Sequence, residues 1–347
     1  MNAIVKAGLC FFLLVKIAEV RAQDLSTPGA YMTFISEKIR NINQTYINYL
    51  SAVSHGKSAK KVEKLREKTV NTIFDARSEV AGTLPYKGDK TLRDATVAYL
   101  KTCYIVFNED YGKIVNMEEI AEQSYDAMEA YLMAQEKAGE KLTEAGQQRN
   151  AVAKTFAEKY GVKINDVKDE LDLKMELADK VTDYYNKVYL IFFKSNRQEA
   201  YLVDAINRKD INGIEQNRNA LLNYATAGLE ALQQVNAFES DATLMAACKR
   251  ALLFYKELAE KKIGKVSDYM LAEENFSKTK KAFDAKPANK RTQADIDNFN
   301  KAVNEINAAG NAYNKVNNEI NKDRDVVINT WNDAVKRFMD DHMPYRK

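Results

Sequence analysis

The sequence is poor in residues that break helices and in residues that bind metals. Its 347 residues include only four prolines and thirteen glycines. So few breakers argue against an all-β chain with many turns and favour long helices. There are only two histidines, His55 and His342. This excludes most histidine-based metal sites and catalytic triads.

Cysteines are also scarce. Only Cys103 and Cys248 lie beyond the first 22 residues, whereas a small disulfide scaffold carries more. Both occupy apolar positions in helical patterns, so we predict two free, buried thiols. A single bridge between them, which requires the two halves of the chain to touch there, is the alternative.

The chain has no strong excess of either charge. Lysine and arginine total 52, and aspartate and glutamate total 49. Without residues 1–22 the balance is 49 basic to 48 acidic residues, a net charge of +1. No strong field therefore steers the chain toward nucleic acid, and we predict no such partner. After residue 22 no apolar stretch is long enough to cross a membrane, so we predict no transmembrane span.

The N-terminus has the pattern of a secretory signal peptide. Lys6 precedes a short apolar run over 9–15, and compact residues occupy the −3 and −1 positions before Gln23. Lys16 interrupts the run, which is shorter than a bilayer requires. Cys10 lies inside it and is poorly placed for lipidation. We predict cleavage after Ala22 and export to the periplasm, the outer surface or the medium; an uncleaved anchor is the alternative.

The rest of the chain has the apolar period of helices. The pentapeptide at 189–193 is the best strand candidate, but the helical period continues on both sides of it. We therefore predict an all-α fold without strands. The predicted helices cover 28–54, 58–82, 90–115, 117–160, 166–208, 211–235, 242–272, 273–285, 292–321 and 323–341.

Side chains that can cap helices support several of these boundaries. A capping residue carries an oxygen that accepts a hydrogen bond from the first turn of the helix. Residues of this type precede five of the predicted helices: Ser58, Asp89, Asn116, Asp210 and Asp241.

The sequence also matches itself. Residues 49–113 align without gaps to 201–265, 152 positions later, with thirteen identities in 65 positions. The best stretch places Asp89 and Asp241 before equivalent helices. A further match, between 152–156 and 334–338, has an offset of 182, which indicates about 30 additional residues in the second half.

A period this long indicates a duplicated domain rather than a solenoid repeat. We predict a signal peptide at 1–22, a first helical bundle at 23–165 and a second at 166–347. The two units are arranged in tandem. Each resembles a four-helix bundle and is large enough to form its own core. The second unit carries an inserted helical hairpin at about 275–300, near Pro287.

Several features together resemble a known family. The first two are the export signal and Tyr49-Leu50 in a long first helix. The others are the acidic cap Asp89, which follows Pro85-Tyr86-Lys87-Gly88, and a helix that ends in Phe156-Ala157-Glu158-Lys159-Tyr160-Gly161. This pattern resembles secreted or lipid-anchored helical surface proteins of spirochaetes and Bacteroidota, which have no assigned activity. The resemblance covers both halves and implies a surface location, but it provides no catalytic residues. The chain departs from many members because it lacks a lipidation cysteine.

No motif for chemistry is evident. A di-iron bundle requires glutamate three residues before histidine, but Ala52 precedes His55 and Met339 precedes His342. Glycine-rich nucleotide-binding motifs and the G-x-S-x-G motif are absent. Asp340, Asp341 and His342 can ligate a metal, although a polar helix end is the preferred interpretation. We predict no catalytic, metal-binding or cofactor-binding residues, and no cofactor.

Four lysines form one candidate interaction surface. Their spacing of i, i+3, i+4 and i+7 places them on one helix face: Lys57, Lys60, Lys61 and Lys64. Such a stripe suits anionic glycans, lipid head groups or nucleic acid. A solvated helix face is the preferred interpretation, because the second half retains only Lys209 at these positions.

An aromatic cluster forms the other candidate surface. Its members are Tyr184, Tyr185, Tyr189, Phe192 and Phe193. Adjacent residues in a helix point to adjacent faces, so one member of each adjacent pair is expected to reach the first bundle. We single out Tyr184, Tyr185 and Phe192 as possible interaction residues. A groove for an apolar or aromatic ligand is the alternative.

These observations favour a secreted, non-enzymatic protein of the cell envelope or cell surface. It would act as a structural or interaction module, with an envelope or surface protein as its partner. The alternative is a helical bundle that binds a small apolar or aromatic ligand between its helices.

Overall fold

The computed structural model describes residues 24–110, 120–164 and 168–345. Over these ranges the protein is helical and contains no strand, apart from two isolated bridges in turns. The prediction of an all-α fold is confirmed. The predicted signal peptide, the Asn116 cap and part of the predicted junction between the halves lie outside the described residues.

Among the described residues of the first half, four helices and one π-helical segment have defined bounds. They are α1 (Pro28–Ser54), α2 (Ala59–Gly82), α3 (Thr91–Ile105), the π-helical segment Val106–Asp110, and α4 (Tyr125–Tyr160). The predicted start at residue 117 lies outside the described residues, but the predicted helix 117–160 is not continuous: residues 120–121 are helical, a turn follows at 122–123, and α4 begins at Tyr125. Its N-cap is Ser124, whose hydroxyl accepts a hydrogen bond from the Ala127 amide at 3.1 Å.

The second half follows the same order and then continues further. Its elements are α5 (Glu170–Asn207), α6 (Ile211–Leu232), α7 (Thr243–Glu257), the π-helical segment Leu258–Lys262, α8 (Ile263–Asp284), a 3₁₀ turn (Ala288–Lys290) and α9 (Gln293–His342).

Two predicted helix breaks are wrong. The sequence suggested that helices end at 272 and 321, but α8 and α9 continue through both positions. The residues at these positions are polar or small, and neither position contains proline or glycine. Polarity alone does not end a helix, because an exposed face tolerates it.

Of the predicted capping carboxylates, Asp210 is the N-cap of its helix, whereas Asp89 and Asp241 lie one residue before the N-caps Lys90 and Ala242 and accept from the first amide of the helix. Asp210 accepts from the Gly213 amide at 2.9 Å. Asp89 accepts from the Thr91 amide at 2.9 Å, and Asp241 accepts from the Thr243 amide at 2.7 Å. Ser58 is the N-cap of α2, but its side chain makes no capping hydrogen bond.

The two halves repeat local structure at the offset of the sequence match. Helices α3 and α7 begin and end 152 residues apart, and so do the π-helical segments that follow them. In the first half, Arg66 donates to the carbonyl oxygen of Phe107 at 3.1 Å. In the second, Arg218 donates to that of Ala259 at 2.7 Å. Each arginine thus supports a π-helical segment in the same way.

An aromatic cluster around a capping carboxylate also occurs twice. In the first half Tyr86 packs on Phe156 and Tyr160, at centroid distances of 5.8 and 5.0 Å. The Tyr160 hydroxyl donates to Asp89 at 3.1 Å. In the second half the corresponding ring contacts join Phe238, Phe338 and His342, and His342 Nε2 lies 2.9 Å from the Asp241 carboxylate.

Each half has a main apolar cluster. In the first half its most buried members include Tyr31, Ile35, Ile73, Leu92, Leu100 and Phe156. In the second half they include Val188, Leu202, Leu221, Leu252, Tyr255 and Phe338. The thiols Cys103 and Cys248 are free and buried, one in each cluster. Burial raises the pKa of Cys103 to about 11 and that of Cys248 to about 12, so both remain protonated at neutral pH.

The second half also has a helical hairpin that leaves the core. We define the arm as residues 271–312, the distal part of α8, the tip and the first part of α9. Throughout the arm, all of which the structure describes, Ala302 alone is buried. Phe283 stacks on Phe299 at 4.5 Å between the two helices. The fourteen residues of α8 in the arm extend for about 21 Å.

Candidate functional site

Three of the four lysines of the sequence prediction lie in the first turns of α2, whereas Lys57 precedes the N-cap Ser58 and so does not share the helix face. All of them, Lys57, Lys60, Lys61 and Lys64, are exposed. The first turn of α2 contains no acidic residue, so these cations face the positive end of the helix dipole, which is mildly unfavourable. They line neither described cavity. The structure therefore shows an exposed basic helix end without a formed site.

Two of the three singled-out aromatic residues are core residues. Phe192 is 4% exposed and stacks on Trp331 at 4.1 Å. Tyr184 packs between Phe238 and Phe338, with both centroid distances at 5.3 Å. The hypothesis that these two side chains meet a partner protein is corrected, because their rings are already covered by the second half.

Phe193 faces the first half instead, whereas Tyr185 packs against the main apolar cluster of the second half. Tyr185 stacks on Tyr189 at 5.5 Å, and burial raises the pKa of its hydroxyl. Phe193 belongs to a small apolar cluster with Met128 and Leu132 of α4. Phe193 therefore belongs to a junction between α4 and α5.

Polar contacts reinforce this junction. Arg197 and Tyr201 of α5 donate to the Gln123 carbonyl oxygen, at 2.9 and 2.7 Å. The Lys194 ammonium lies 4.4 Å from the ring centroid of Tyr125 and 4.7 Å from that of Tyr224. Such cation–π contacts contribute about 0.5–2 kcal/mol. The side chains of α5 thus hold the start of α4 in place.

The C-terminal acidic residues make local contacts. His342 lies against Asp241, Asp341 pairs with Arg337 at 3.5 Å, and Asp340 accepts from the Tyr345 hydroxyl at 3.3 Å. Across the described ranges, no three histidine, cysteine or acidic side chains are grouped so that they could hold a metal ion. The described helices also include none that is long and apolar enough to cross a membrane.

A cavity of about 270 Å³ lies at the base of the arm. Leu202 and Ile206 of α5, Leu258 of the second π-helical segment and Ile320 of α9 contribute apolar walls. Its polar side chains are Glu199, Asn207, Tyr313, Asn317, Asn321 and Arg324. π-Helical segments often occur at functional sites, and this one borders the cavity directly.

A buried ion pair lines this cavity. Arg324 Nε donates to Glu199 Oε1 at 2.6 Å, and the Glu199 side chain is 8% exposed. Burial raises the pKa of the Glu199 carboxyl, and Arg324 opposes that shift. At the offset of 152, the first half has Ile47 in place of Glu199. The charged cavity is therefore specific to the second half.

A second recess of about 390 Å³ lies between the two helices of the arm. Asn275 and Thr279 of α8 and Asn298 and Glu305 of α9 contribute to its walls. At its tip end, Lys286 pairs with Asp295, the N3 residue of α9. This recess is polar and has no counterpart among the described residues of the first half.

The sequence analysis missed the most regular feature of the arm. Helix α9 carries asparagines at alternating spacings of four and three residues, and all seven are exposed. We call this set the asparagine stripe: Asn300, Asn304, Asn307, Asn311, Asn314, Asn318 and Asn321. Its spacing is visible in the sequence, but a search limited to charged, aromatic and metal-binding patterns passes over it.

Helix stability does not explain the asparagine stripe. Asparagine is less favourable than alanine in a helix by roughly 0.5 kcal/mol, so seven of them cost about 3–4 kcal/mol. The asparagine side chain competes for backbone hydrogen bonds outside the helix. Helix α4 of the first half contains a single asparagine, Asn150.

Comparison of the chain with known protein families, with curated proteins and with solved structures found no match. The arguments about function therefore depend on the geometry described above.

Proposed function

We propose that this protein is an exported, non-enzymatic module of the cell envelope that binds an envelope component through its arm. The observation that carries the proposal is the arm itself. It extends beyond the core, it has no counterpart among the described residues of the first half, and its surface is polar. The repeated helices, π-helical segments and capping clusters support a duplicated helical unit as the base. Export is supported by the N-terminal pattern of Lys6, the apolar run and Ala22.

Shortening the arm tests this proposal. Replacing residues 271–312 with a short glycine-serine loop removes the whole arm, including the first four asparagines of the stripe. It retains the bases of both helices, where Tyr269 stacks on Tyr313 at 4.7 Å. We expect the shortened chain to fold, as judged by circular dichroism, and to pass from the envelope fraction into the soluble fraction.

A matched control addresses the lysines of α2. Replacing Lys57, Lys60, Lys61 and Lys64 with glutamine removes four exposed charges, and we expect it to leave envelope retention unchanged. Retention of the shortened chain at the wild-type level would refute the proposal. A mature N-terminus other than Gln23, measured by mass spectrometry, would refute the export step.

The cavity beside Glu199 supports a second candidate function, the binding of a small ligand. Its walls combine apolar side chains with three asparagines and an ion pair. This lining suits a small ligand with hydrogen-bonding groups better than the purely apolar or aromatic ligand suggested by the sequence. The volume is at the lower end for ligand sites.

Native mass spectrometry of protein purified from its host tests this candidate. We expect a recurring small-molecule adduct, which Val203→Trp removes by filling the cavity while Val203→Ala retains it. An adduct-free wild-type protein would eliminate this second function.

A further inference from the structure

We propose that the asparagine stripe binds one extended strand of a neutral, β-1,4-linked polysaccharide. This inference rests on the proposed function, because it names the envelope component that the arm reaches. It starts from three properties of the stripe: its chemistry, its spacing and its exposure.

The side chains of the stripe are uncharged, and they both donate and accept hydrogen bonds. Each side-chain amide offers one carbonyl oxygen and two N–H groups, which match the hydroxyl and acetamido groups of sugars. Asn321 accepts from Arg324 at 2.6 Å. The other six amides, all within the described part of α9, make no side-chain hydrogen bond to the protein. They are therefore available to a ligand.

The spacing of the stripe suits an extended glycan. Steps of four and three residues give an average rise of about 5 Å between amides, comparable to one pyranose unit of a straight β-1,4-linked chain. From Asn300 to Asn321 the stripe extends for about 32 Å, enough for six or so sugars. It drifts around the helix by about 20° per heptad, so a strand that follows it needs only a gentle twist.

Other classes of ligand fit the stripe less well. Protein partners rely on aromatic and arginine side chains at the centre of an interface, and the stripe has neither. Nucleic acid requires a series of cations, whereas the stripe is neutral and the neighbouring Lys301 pairs with Glu305 at 3.9 Å. A coiled coil with a second copy would bury amides at its a and d positions, which is costly.

The stripe also leads to the cavity at the base of the arm. Asn321 belongs to the stripe and lines the cavity, together with Asn317 on the next face of the helix. A strand lying along the stripe thus ends beside the Glu199–Arg324 pair. There the cavity has room and hydrogen-bonding groups for a terminal sugar.

Titration calorimetry of the mature chain tests the proposal, with chitohexaose and cellohexaose as probes. We expect at least one of them to bind, with the same affinity at about 50 mM and about 500 mM salt, because no charge is involved. Maltohexaose, whose α-1,4 links curve the chain, is expected to bind about ten-fold more weakly.

A pair of triple variants locates the binding. The variant Asn307→Ala, Asn311→Ala, Asn314→Ala removes the centre of the stripe and favours the helix, so it is expected to fold. We expect it to weaken binding by about ten-fold or more. The matched control, Asn41→Ala, Asn71→Ala, Asn219→Ala, changes three exposed helical asparagines outside the arm and the stripe and is expected to bind as the wild type does.

Several results would overturn the inference. They are no binding of either β-1,4 probe, equal binding by the two triple variants, binding that is lost at high salt, or a dimer that dissociates when the stripe is changed. If the probes do not bind but envelope retention still depends on the arm, this inference fails and the proposed function stands. If retention also persists without the arm, both fail.

Discussion

The two halves of the chain share a set of helices and contacts, which we call the frame, and among the described residues only the second half adds the arm and the charged cavity to it. Both have a capping aspartate beneath an aromatic cluster and an arginine that supports a π-helical segment. In the first half Asp89 accepts from Lys159 and Tyr160, which lie at the end of α4. In the second half His342, at the end of α9, takes that place beside Asp241. The shared aspartate contacts join the start of the third helix of each half to the end of its last helix.

The differences are concentrated on one side of the second half. The arm, the charged cavity and the asparagine stripe all involve α8 or α9. The buried Glu199 replaces the apolar Ile47 of the first half, which costs stability unless it is paired. Features that cost stability and occur in only one half point to function, and the arm carries such features.

The largest effect is expected from substitutions in the two aromatic clusters, which test whether both clusters are equally important for stability. Phe156 and Phe338 are equivalent and almost fully buried. We expect Phe156→Ala and Phe338→Ala each to lower the free energy of unfolding by about 3–5 kcal/mol, because each leaves a large cavity. Urea unfolding measures both. A loss below about 1 kcal/mol in either variant would break the equivalence of the two clusters.

The next prediction concerns the ion pair that only the second half has. Arg324→Leu leaves the buried Glu199 carboxylate unpaired, and we expect a loss of about 3 kcal/mol at neutral pH. Burial raises the pKa of Glu199 above its value in the unfolded chain. The native state therefore binds more protons between the two values, and stability falls as the pH rises through this window.

The pH dependence distinguishes two variants of this pair. We expect Arg324→Leu to steepen the fall in stability as the pH rises above the ordinary pKa of a glutamate carboxyl, because the charge that opposes the pKa shift is gone. Glu199→Gln removes the titrating carboxyl, and we expect it to remove this pH dependence of stability. A pH profile of Arg324→Leu that parallels the wild type would show that the carboxylate is not buried in solution.

The arginines that support the π-helical segments should have matching effects. Arg66→Ala and Arg218→Ala each remove a hydrogen bond to a backbone carbonyl oxygen, and we expect each to cost about 1–3 kcal/mol. Hydrogen exchange measures the local effect of each variant. We expect faster amide exchange in 106–110 for Arg66→Ala and in 258–262 for Arg218→Ala. A large effect in one half and none in the other would contradict a shared frame.

The smallest expected effect is a gain in stability. The triple variant Asn307→Ala, Asn311→Ala, Asn314→Ala should raise the free energy of unfolding of α9 by about 1.5 kcal/mol, because alanine is the better helix former. The control variant at Asn41, Asn71 and Asn219 should gain a similar amount. Thermal unfolding checks both. A stripe variant that loses stability would show that these amides support the fold.

Much of the fold could be predicted from the sequence, because helical periodicity and capping residues are local signals. The prediction of Asp210 as an N-cap is correct for this reason, and Asp241 lies one residue before the N-cap of its helix. The breaks expected at 272 and 321 are wrong, since a polar stretch on an exposed helix face resembles a loop. The π-helical segments have no comparable local signal.

The candidate site was harder to predict. Glu199 and Arg324 are 125 residues apart, so their pairing depends on tertiary packing. The aromatic residues at 184–193 were correctly placed in one helix, but the sequence did not identify which rings the second half itself covers. The asparagine stripe was visible as a spacing, although asparagine in a helix is ordinarily taken as neutral surface.

Hydrogen–deuterium exchange of the mature chain, with and without envelope material from its host, tests the central claim most directly. The account predicts that added envelope material slows exchange in 271–321 and leaves α1 to α4 unchanged. Protection confined to the first half, or equal in the equivalent helices of both halves, would contradict it.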